Sequence, residues 1–66
     1  MQLIVNGESK VLDGAPSVAQ LLCELGLAER RVAVEVNREI VPRSRHGEFQ
    51  LQEHDRVEVV FAVGGG

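Results

Sequence analysis

The spacing of apolar and polar residues predicts two short strands joined by a tight turn at the start of the chain. Leu3-Ile4-Val5 is an apolar run that stops at Asn6-Gly7, and this dipeptide is the strongest two-residue signal for a β-hairpin. Residues 8–12 follow as the returning strand, and Asp13-Gly14-Ala15-Pro16 is a cluster of turn-forming residues. The first sixteen residues are therefore expected to form a hairpin followed by a turn.

A short amphipathic helix is predicted over about residues 18–25. Four apolar residues recur at the spacing of one helical face, and they are Val18, Leu21, Leu22 and Leu25. Ser17 and Gln20 have the spacing of a capping box, in which each side chain accepts a backbone N–H of the other residue. Gly26 stands where a left-handed residue commonly ends a helix.

The second half of the chain predicts three more strands. Residues 32–36 alternate between apolar and polar positions and indicate a strand. A turn at residues 37–39 leads to a short strand at Ile40-Val41, and residues 43–48 are expected to form a polar loop. Residues 56–62 are predicted to be the last strand.

The order of these elements predicts an α+β fold. The last strand is the least polar, so it is expected at the centre of the sheet with both faces partly covered. One helix on one face of a mixed sheet of four to five strands satisfies this order. With the last strand parallel to the first, between two hairpins, the fold is the ubiquitin-like β-grasp. Residues 1–63 are expected to form this domain and residues 64–66 a flexible glycine tail.

Length and charge exclude several classes of function. A chain of 66 residues forms one small domain with a marginal core, which argues against a deep catalytic pocket. The net charge of −3, a single lysine and the lack of aromatic residues among the arginines argue against nucleic acid as a partner. No apolar run approaches the roughly 20 residues that a membrane span needs, and no signal peptide is seen. A cytoplasmic location is expected.

No residue is predicted to be catalytic, and no metal or bound cofactor is expected. Cys23 falls opposite the apolar stripe of the predicted helix and is expected to be an exposed free thiol. His46 and His54 lie in polar segments and are expected to be solvated. A metal site from these two histidines and nearby acidic residues has no recognisable spacing.

The end of the sequence is the part that suggests chemistry. Gly64, Gly65 and Gly66 follow the last predicted strand. They form either a frayed terminus or a tail without side chains that enters another protein's active site. In the second case the carboxylate of Gly66 must first be activated, for example as a mixed anhydride with AMP, before sulfide can displace the nucleotide.

Five stretches that cover most of the chain carry a resemblance to a known family: Leu3–Glu8, Ser17–Leu22, Val34–Ser44, Asp55–Val60 and Ala62–Gly66. In these stretches the chain resembles the ThiS family of bacterial sulfur carriers in thiamine biosynthesis, and the middle stretch is the most specific. Two departures are Gly64, where the family often has alanine, and the lack of an aromatic residue within 45–48.

The resemblance implies a carrier that is a co-substrate rather than an enzyme. A ThiF-type adenylating enzyme would use Mg·ATP to form acyl-AMP at Gly66, and sulfur from a cysteine desulfurase would convert it to a thiocarboxylate. A thiazole synthase of the ThiG type would then take the sulfur into the thiazole moiety of thiamine. Gly66 would be the covalent site, with Gly64 and Gly65 as the tail.

The partners are expected to dock on the face of the sheet that the helix leaves open. Strict alternation turns Leu3, Val5, Val57 and Val59 toward the helix. Ile4 and Val60 then point to the open face, side by side if the first and last strands are neighbours. Ala62 and Val63 are expected to join this contact, and Phe61 to belong either to the core or to the contact. Arginines between residues 38 and 45 would form a polar rim.

Other functions remain open at this point. A carrier of the molybdopterin synthase small-subunit type, or one that serves tRNA thiolation, would share the glycine end. A ubiquitin-like modifier or a pure interaction module is a further alternative. Lys10 is the only lysine, which disfavours polymeric chains of a modifier.

Overall fold

The computed structural model describes residues 1–61. Within this range the chain forms five strands, one α-helix and one 3₁₀ turn. The elements are β1 (Gln2–Val5), β2 (Glu8–Val11), α1 (Val18–Glu24), β3 (Val32–Val36), β4 (Glu39–Val41), the 3₁₀ turn (Arg43–Arg45) and β5 (Arg56–Phe61).

The strands form one mixed sheet in the order β2-β1-β5-β3-β4. The central strand β5 is parallel to β1 and antiparallel to β3, and each hairpin is antiparallel within itself. The helix packs its buried residues against one face of this sheet. The predicted α+β architecture, a β-grasp with the last strand in the middle, is confirmed.

The helix has the two end signals that the sequence predicts. The Ser17 backbone N–H donates to Oε1 of Gln20 at 2.8 Å, and the Gln20 backbone N–H donates to Oγ of Ser17 at 3.2 Å. At the other end Gly26 has φ +75°, and the Leu27 N–H donates to the carbonyl of Leu22 at 2.8 Å. This pairing is that of a Schellman motif, so the polar groups of both helix ends have partners.

The core lies between the helix and the inner face of the sheet. Alternation along the strands supplies it, as predicted, with buried residues from both hairpins and from β5. Its members are Leu3, Val5, Leu12, Val18, Leu21, Leu22, Val34, Val36, Val41, Leu51, Val57 and Val59. Leu25, predicted in the helical stripe, is only partly buried at the helix end.

The polar segment 43–48 differs from its prediction. It contains the 3₁₀ turn, and His46 after that turn is buried, with only 8% of its surface exposed. Nε2 of His46 lies 3.0 Å from the carbonyl oxygen of Val41, and the carbonyl of His46 accepts the N–H of Ala19. The prediction of a solvated His46 is therefore wrong, because the folded domain supplies a hydrogen-bond partner to the ring, at Val41, and another to the backbone carbonyl, at Ala19. His54 is exposed, as predicted.

Strand β5 also departs from one expectation. Only the face toward the helix is covered, at Val57 and Val59, whereas Arg56, Glu58 and Val60 are exposed. The prediction that both faces of the central strand are partly covered is wrong, since the only α-helix in residues 1–61 packs on the face that contains Val57 and Val59.

Candidate functional site

The outer face of the sheet, opposite the helix, has three bands along its central strand. The first band is apolar and consists of Val60 of β5 and Ala33 of β3, which pair with each other. The second band, closer to the start of β5, is acidic and consists of the pair Glu58 and Glu35. The band at the start of β5 contains Arg56. Both Val60 and Ala33 are exposed, so the apolar band is the one nearest the end of β5.

The register separates the two residues that the sequence places side by side. Ile4 of β1 pairs with Arg56, while Val60 lies four residues further along β5. At about 3.3 Å per residue these two side chains are roughly 13 Å apart along the strand. They share the outer face, as predicted, but the prediction that they are adjacent is wrong, because the parallel pairing places β1 against only the first part of β5.

Ile40 is an exposed apolar residue that the sequence reasoning missed. It pairs with Glu35 on the outer face and has 72% of its surface exposed, more than the 57% of Val60. The signal for it was present in the turn at residues 37–38. A two-residue loop sets the register of the β3–β4 hairpin and turns Ile40 outward.

Phe61 is the last residue that the structure describes. It pairs with Val32 of β3, and its position in the alternation of β5 is on the helix side. The ring is nevertheless 49% exposed, and the guanidinium carbon of Arg30 lies 5.3 Å from its centroid. Phe61 therefore lies at the margin of the core under a cation–π partner, and its role in binding stays a prediction.

The remaining predicted site residues lie outside the described residues. Ala62 and Val63 were expected to join the contact, Gly64 and Gly65 to form the tail, and Gly66 to be the covalent site. The division into residues 1–63 and a tail at 64–66 stays a prediction for the same reason.

Each hairpin turn holds β5 through an asparagine side chain. Oδ1 of Asn6 accepts the backbone N–H of Val59 at 2.8 Å, and Oδ1 of Asn37 accepts that of Arg56 at 3.0 Å. Asn37 Nδ2 also donates to Oδ1 of Asp55 at 2.9 Å. The two turns thus bind β5 from its two neighbouring hairpins, the second turn at Arg56, where β5 starts, and the first turn at Val59.

A groove opens on the outer face between these two turns. It is lined by Ile4 and Gly7 from the first hairpin, Asn37 and Arg38 from the second, and Arg56 and Glu58 from β5. We call it the basic groove because it contains two guanidinium groups and one carboxylate. Within residues 1–61 the only ion pair is that of His54 with Glu53, so neither arginine is paired there.

Cys23 is exposed, as predicted. Across residues 1–61 no group of three or more histidine, cysteine or acidic residues is placed to hold a metal ion. In the same range no helix is long and apolar enough to cross a bilayer.

Comparisons with known proteins agree with this architecture. The model of the ThiS family matches residues 3–66. All 66 residues of the chain match a thiazole synthase of Paramagnetospirillum magneticum at 42% identity and one of Magnetococcus marinus at 41%, in each case over 20% of that protein. The chain therefore spans about a fifth of the length of these two relatives.

A relative of similar length and a solved structure are also similar. The sulfur carrier protein ThiS of Bacillus subtilis is 38% identical over 50 residues, which are 76% of each chain. The crystal structure of a thiamine biosynthesis protein, ThiS, from Geobacter metallireducens superposes with a TM-score of 0.86 at 35% identity, over the whole of both chains.

The family match covers nearly the whole chain, and the fold is that of the solved relative. The predicted function, a sulfur carrier of thiamine biosynthesis, agrees with the family and with the name of the Bacillus relative. This chain belongs to the ThiS family.

Proposed function

We propose that this chain carries sulfur for thiamine biosynthesis as a thiocarboxylate on Gly66. The observation that carries the proposal is the family match over residues 3–66, which includes the β-grasp and the three glycines that follow its central strand in sequence. The chain acts as a co-substrate, and its partners do the catalysis.

The chemistry proceeds in two steps at the carboxylate of Gly66. A carboxylate oxygen of Gly66 attacks the α-phosphorus of Mg·ATP on the adenylating enzyme, which gives acyl-AMP and releases pyrophosphate. Sulfide, which a thiol reductant releases when the donor holds the sulfur as a cysteine persulfide, then attacks the carbonyl carbon, and AMP leaves with the electron pair of the broken C–O bond. A glycine at this position has no Cβ to hinder the attack. The product is a thiocarboxylate, and no residue of the folded domain needs to react.

Three partners follow from this chemistry. A ThiF-type enzyme supplies the adenylation, a cysteine desulfurase or related donor supplies the sulfur, and a ThiG-type thiazole synthase consumes it. The two thiazole synthases that contain a stretch similar to this chain support the third partner. ATP and magnesium belong to the adenylating enzyme, and the chain binds no cofactor of its own. A reducing compartment such as the cytoplasm suits the exposed thiol of Cys23.

The outer face next to the end of β5 is the proposed docking surface. Val60 is exposed there, and Phe61 is exposed at the same end of β5 although its position is on the helix side. Ala62 and Val63 follow them in sequence. Ile4 lies further along the same face, and Ile40 adds the exposed apolar side chain that the structure shows. Partners that grasp the glycines would cover this end of the sheet first.

Intact-mass measurement tests the proposal. The chain is incubated with the adenylating enzyme, Mg·ATP and a sulfide source, and the mass is expected to rise by the exchange of one oxygen for sulfur. Deletion of Gly66 should abolish the shift, whereas Cys23→Ser should preserve it. A mass shift that survives the deletion of Gly66, or that disappears in Cys23→Ser with the fold intact, would overturn the proposal.

A further inference from the structure

The basic groove contains an arginine where the turn geometry favours glycine. Asn37 and Arg38 both have positive φ, +51° and +71°, and they form the whole two-residue loop between β3 and β4. The first hairpin has the same loop, with Asn6 at +50° and Gly7 at +83°. A side chain at the second position is disfavoured in this left-handed region, so Arg38 is retained against local conformational preference.

The backbone of Arg56 is held by Asn37, the residue that precedes Arg38 in the turn. The N–H of Arg56 donates to Asn37 Oδ1, and the carbonyl of Arg56 accepts the N–H of Asn37 at 2.8 Å. Arg56 also lies beside Ile4 in the parallel pairing of β1 with β5. These contacts use only the backbone of Arg56, which leaves its guanidinium free to bind another group.

The acidic groups near the groove make no ion pair with its two arginines within residues 1–61. Both carboxylate oxygens of Asp55 already accept hydrogen bonds, one from Asn37 Nδ2 and one from the N–H of Gln52 at 2.8 Å. Glu58 lines the groove but lies opposite Glu35, a like charge, and makes no ion pair within residues 1–61. The residues that line the groove thus carry two guanidinium groups and one carboxylate, on a chain whose net charge is −3.

We propose that the basic groove binds a carboxylate side chain, from aspartate or glutamate, of the protein that docks on the outer face. An arginine side chain presents a planar fork that matches a carboxylate. The distance along β5 from Arg56 to Phe61 is five residues, roughly 17 Å, which one protein interface of ordinary size covers. This inference rests on the proposed function, because the docking protein is the one that also takes hold of the glycines.

Binding of variants to the ThiF-type adenylating enzyme, measured by calorimetry, tests the inference. Arg38→Gly restores the residue that the turn favours, so the variant should melt no lower than the wild type, while its affinity falls about five- to tenfold. Arg56→Gln should weaken binding similarly, since the fold uses only the backbone of Arg56. Added salt should reduce both losses.

Lys10→Gln is the matched control. It removes one positive charge from β2, where half-buried Lys10 pairs with Leu3 on the face of the sheet that the helix covers, and its affinity should stay within about twofold of the wild type. An equal loss in Lys10→Gln, or an Arg38→Gly variant that binds like the wild type, would overturn the inference. The thiocarboxylate mass shift of the wild type is recorded in the same samples. If that shift occurs, only the groove is refuted; if the wild type neither binds nor gains sulfur, the proposed function falls as well.

Discussion

The turns of the two hairpins follow one plan and differ at their second residue. Each has a two-residue loop that begins with asparagine at a positive φ, and each asparagine accepts an N–H of β5. The first loop is completed by Gly7 and the second by Arg38. The first loop thus has the residue that its backbone angle favours, whereas the second carries a charged side chain at a backbone angle that disfavours any side chain.

The hairpins also meet the central strand differently. β1 runs parallel to β5 and pairs with only the first part of it. β3 is antiparallel to β5, and every residue of β3 pairs with a residue of β5 between Val57 and Phe61. Asn6 continues the first contact beyond the end of β1, because its N–H donates to the carbonyl of Val57 and its side chain accepts the N–H of Val59. The shorter ladder therefore depends more on its turn residue.

The largest expected effect compares one fully buried residue from each hairpin. Leu3 of β1 and Val34 of β3 are both 0% exposed. Leu3→Ala should lower the free energy of unfolding by about 3 kcal/mol and Val34→Ala by about 2 kcal/mol, since the larger side chain leaves the larger cavity. Urea denaturation measures both. A greater loss in Val34→Ala would show that the second hairpin, not the first, dominates the core.

The next effect compares the two turn asparagines. Asn6→Ala should cost about 2 kcal/mol, because the part-buried N–H of Val59 loses its acceptor. Asn37→Ala should cost about 1 kcal/mol, because its bonds to Arg56 and Asp55 are exposed and water can replace them. Equal losses in denaturation would contradict the idea that the parallel ladder depends more on its turn.

A reciprocal exchange at the second turn position should have smaller and opposite effects. Gly7→Arg should lower the stability by about 1 kcal/mol through the backbone alone, since a Cβ at Gly7 would meet no atom within 4 Å. Arg38→Gly should raise it by about 0.5 kcal/mol, because the relief of the left-handed backbone exceeds the added chain entropy of glycine. Thermal melts of the two variants check the signs, and a lower melting temperature for Arg38→Gly would refute the account of strain.

The smallest effects on stability are expected on the outer face, where binding should change instead. Val60→Asp and Ile40→Asp should each alter stability by less than about 1 kcal/mol, yet weaken binding to the adenylating enzyme. Val11→Asp is the control on the first hairpin, because Val11 is 71% exposed, as Ile40 is at 72%, but pairs with Gln2 at the far end of the sheet. Binding that falls most in Val11→Asp would move the docking surface to the first hairpin.

Much of the fold was predictable because its signals are local. The Asn6-Gly7 turn, the capping box of Ser17 and Gln20, and the glycine at the end of the helix each act within a few residues. Their predicted roles are confirmed by the backbone and its hydrogen bonds. Alternation along the strands likewise placed Leu3, Val5, Val57 and Val59 in the core, since side-chain direction in a strand has a period of two.

The candidate site was predicted less well because it depends on how distant segments meet. The outer face follows from alternation, but the separation of Ile4 from Val60 follows from the register of β1 on β5. The basic groove joins residues from both turns and from β5, which are far apart in sequence. Nothing in the residues around Arg38 or Arg56 indicates by itself that they line one groove.

The sequence by itself determined the elements, the face of each strand that enters the core, and the family. Only the tertiary structure decided which outer residues are neighbours, that His46 is buried against the carbonyl of Val41, and that Phe61 lies half-exposed under Arg30. The physical reason is the range of the interactions. Turn geometry, capping and alternation are satisfied within a few residues, whereas register and the burial of a polar side chain depend on segments that meet only after the chain has folded.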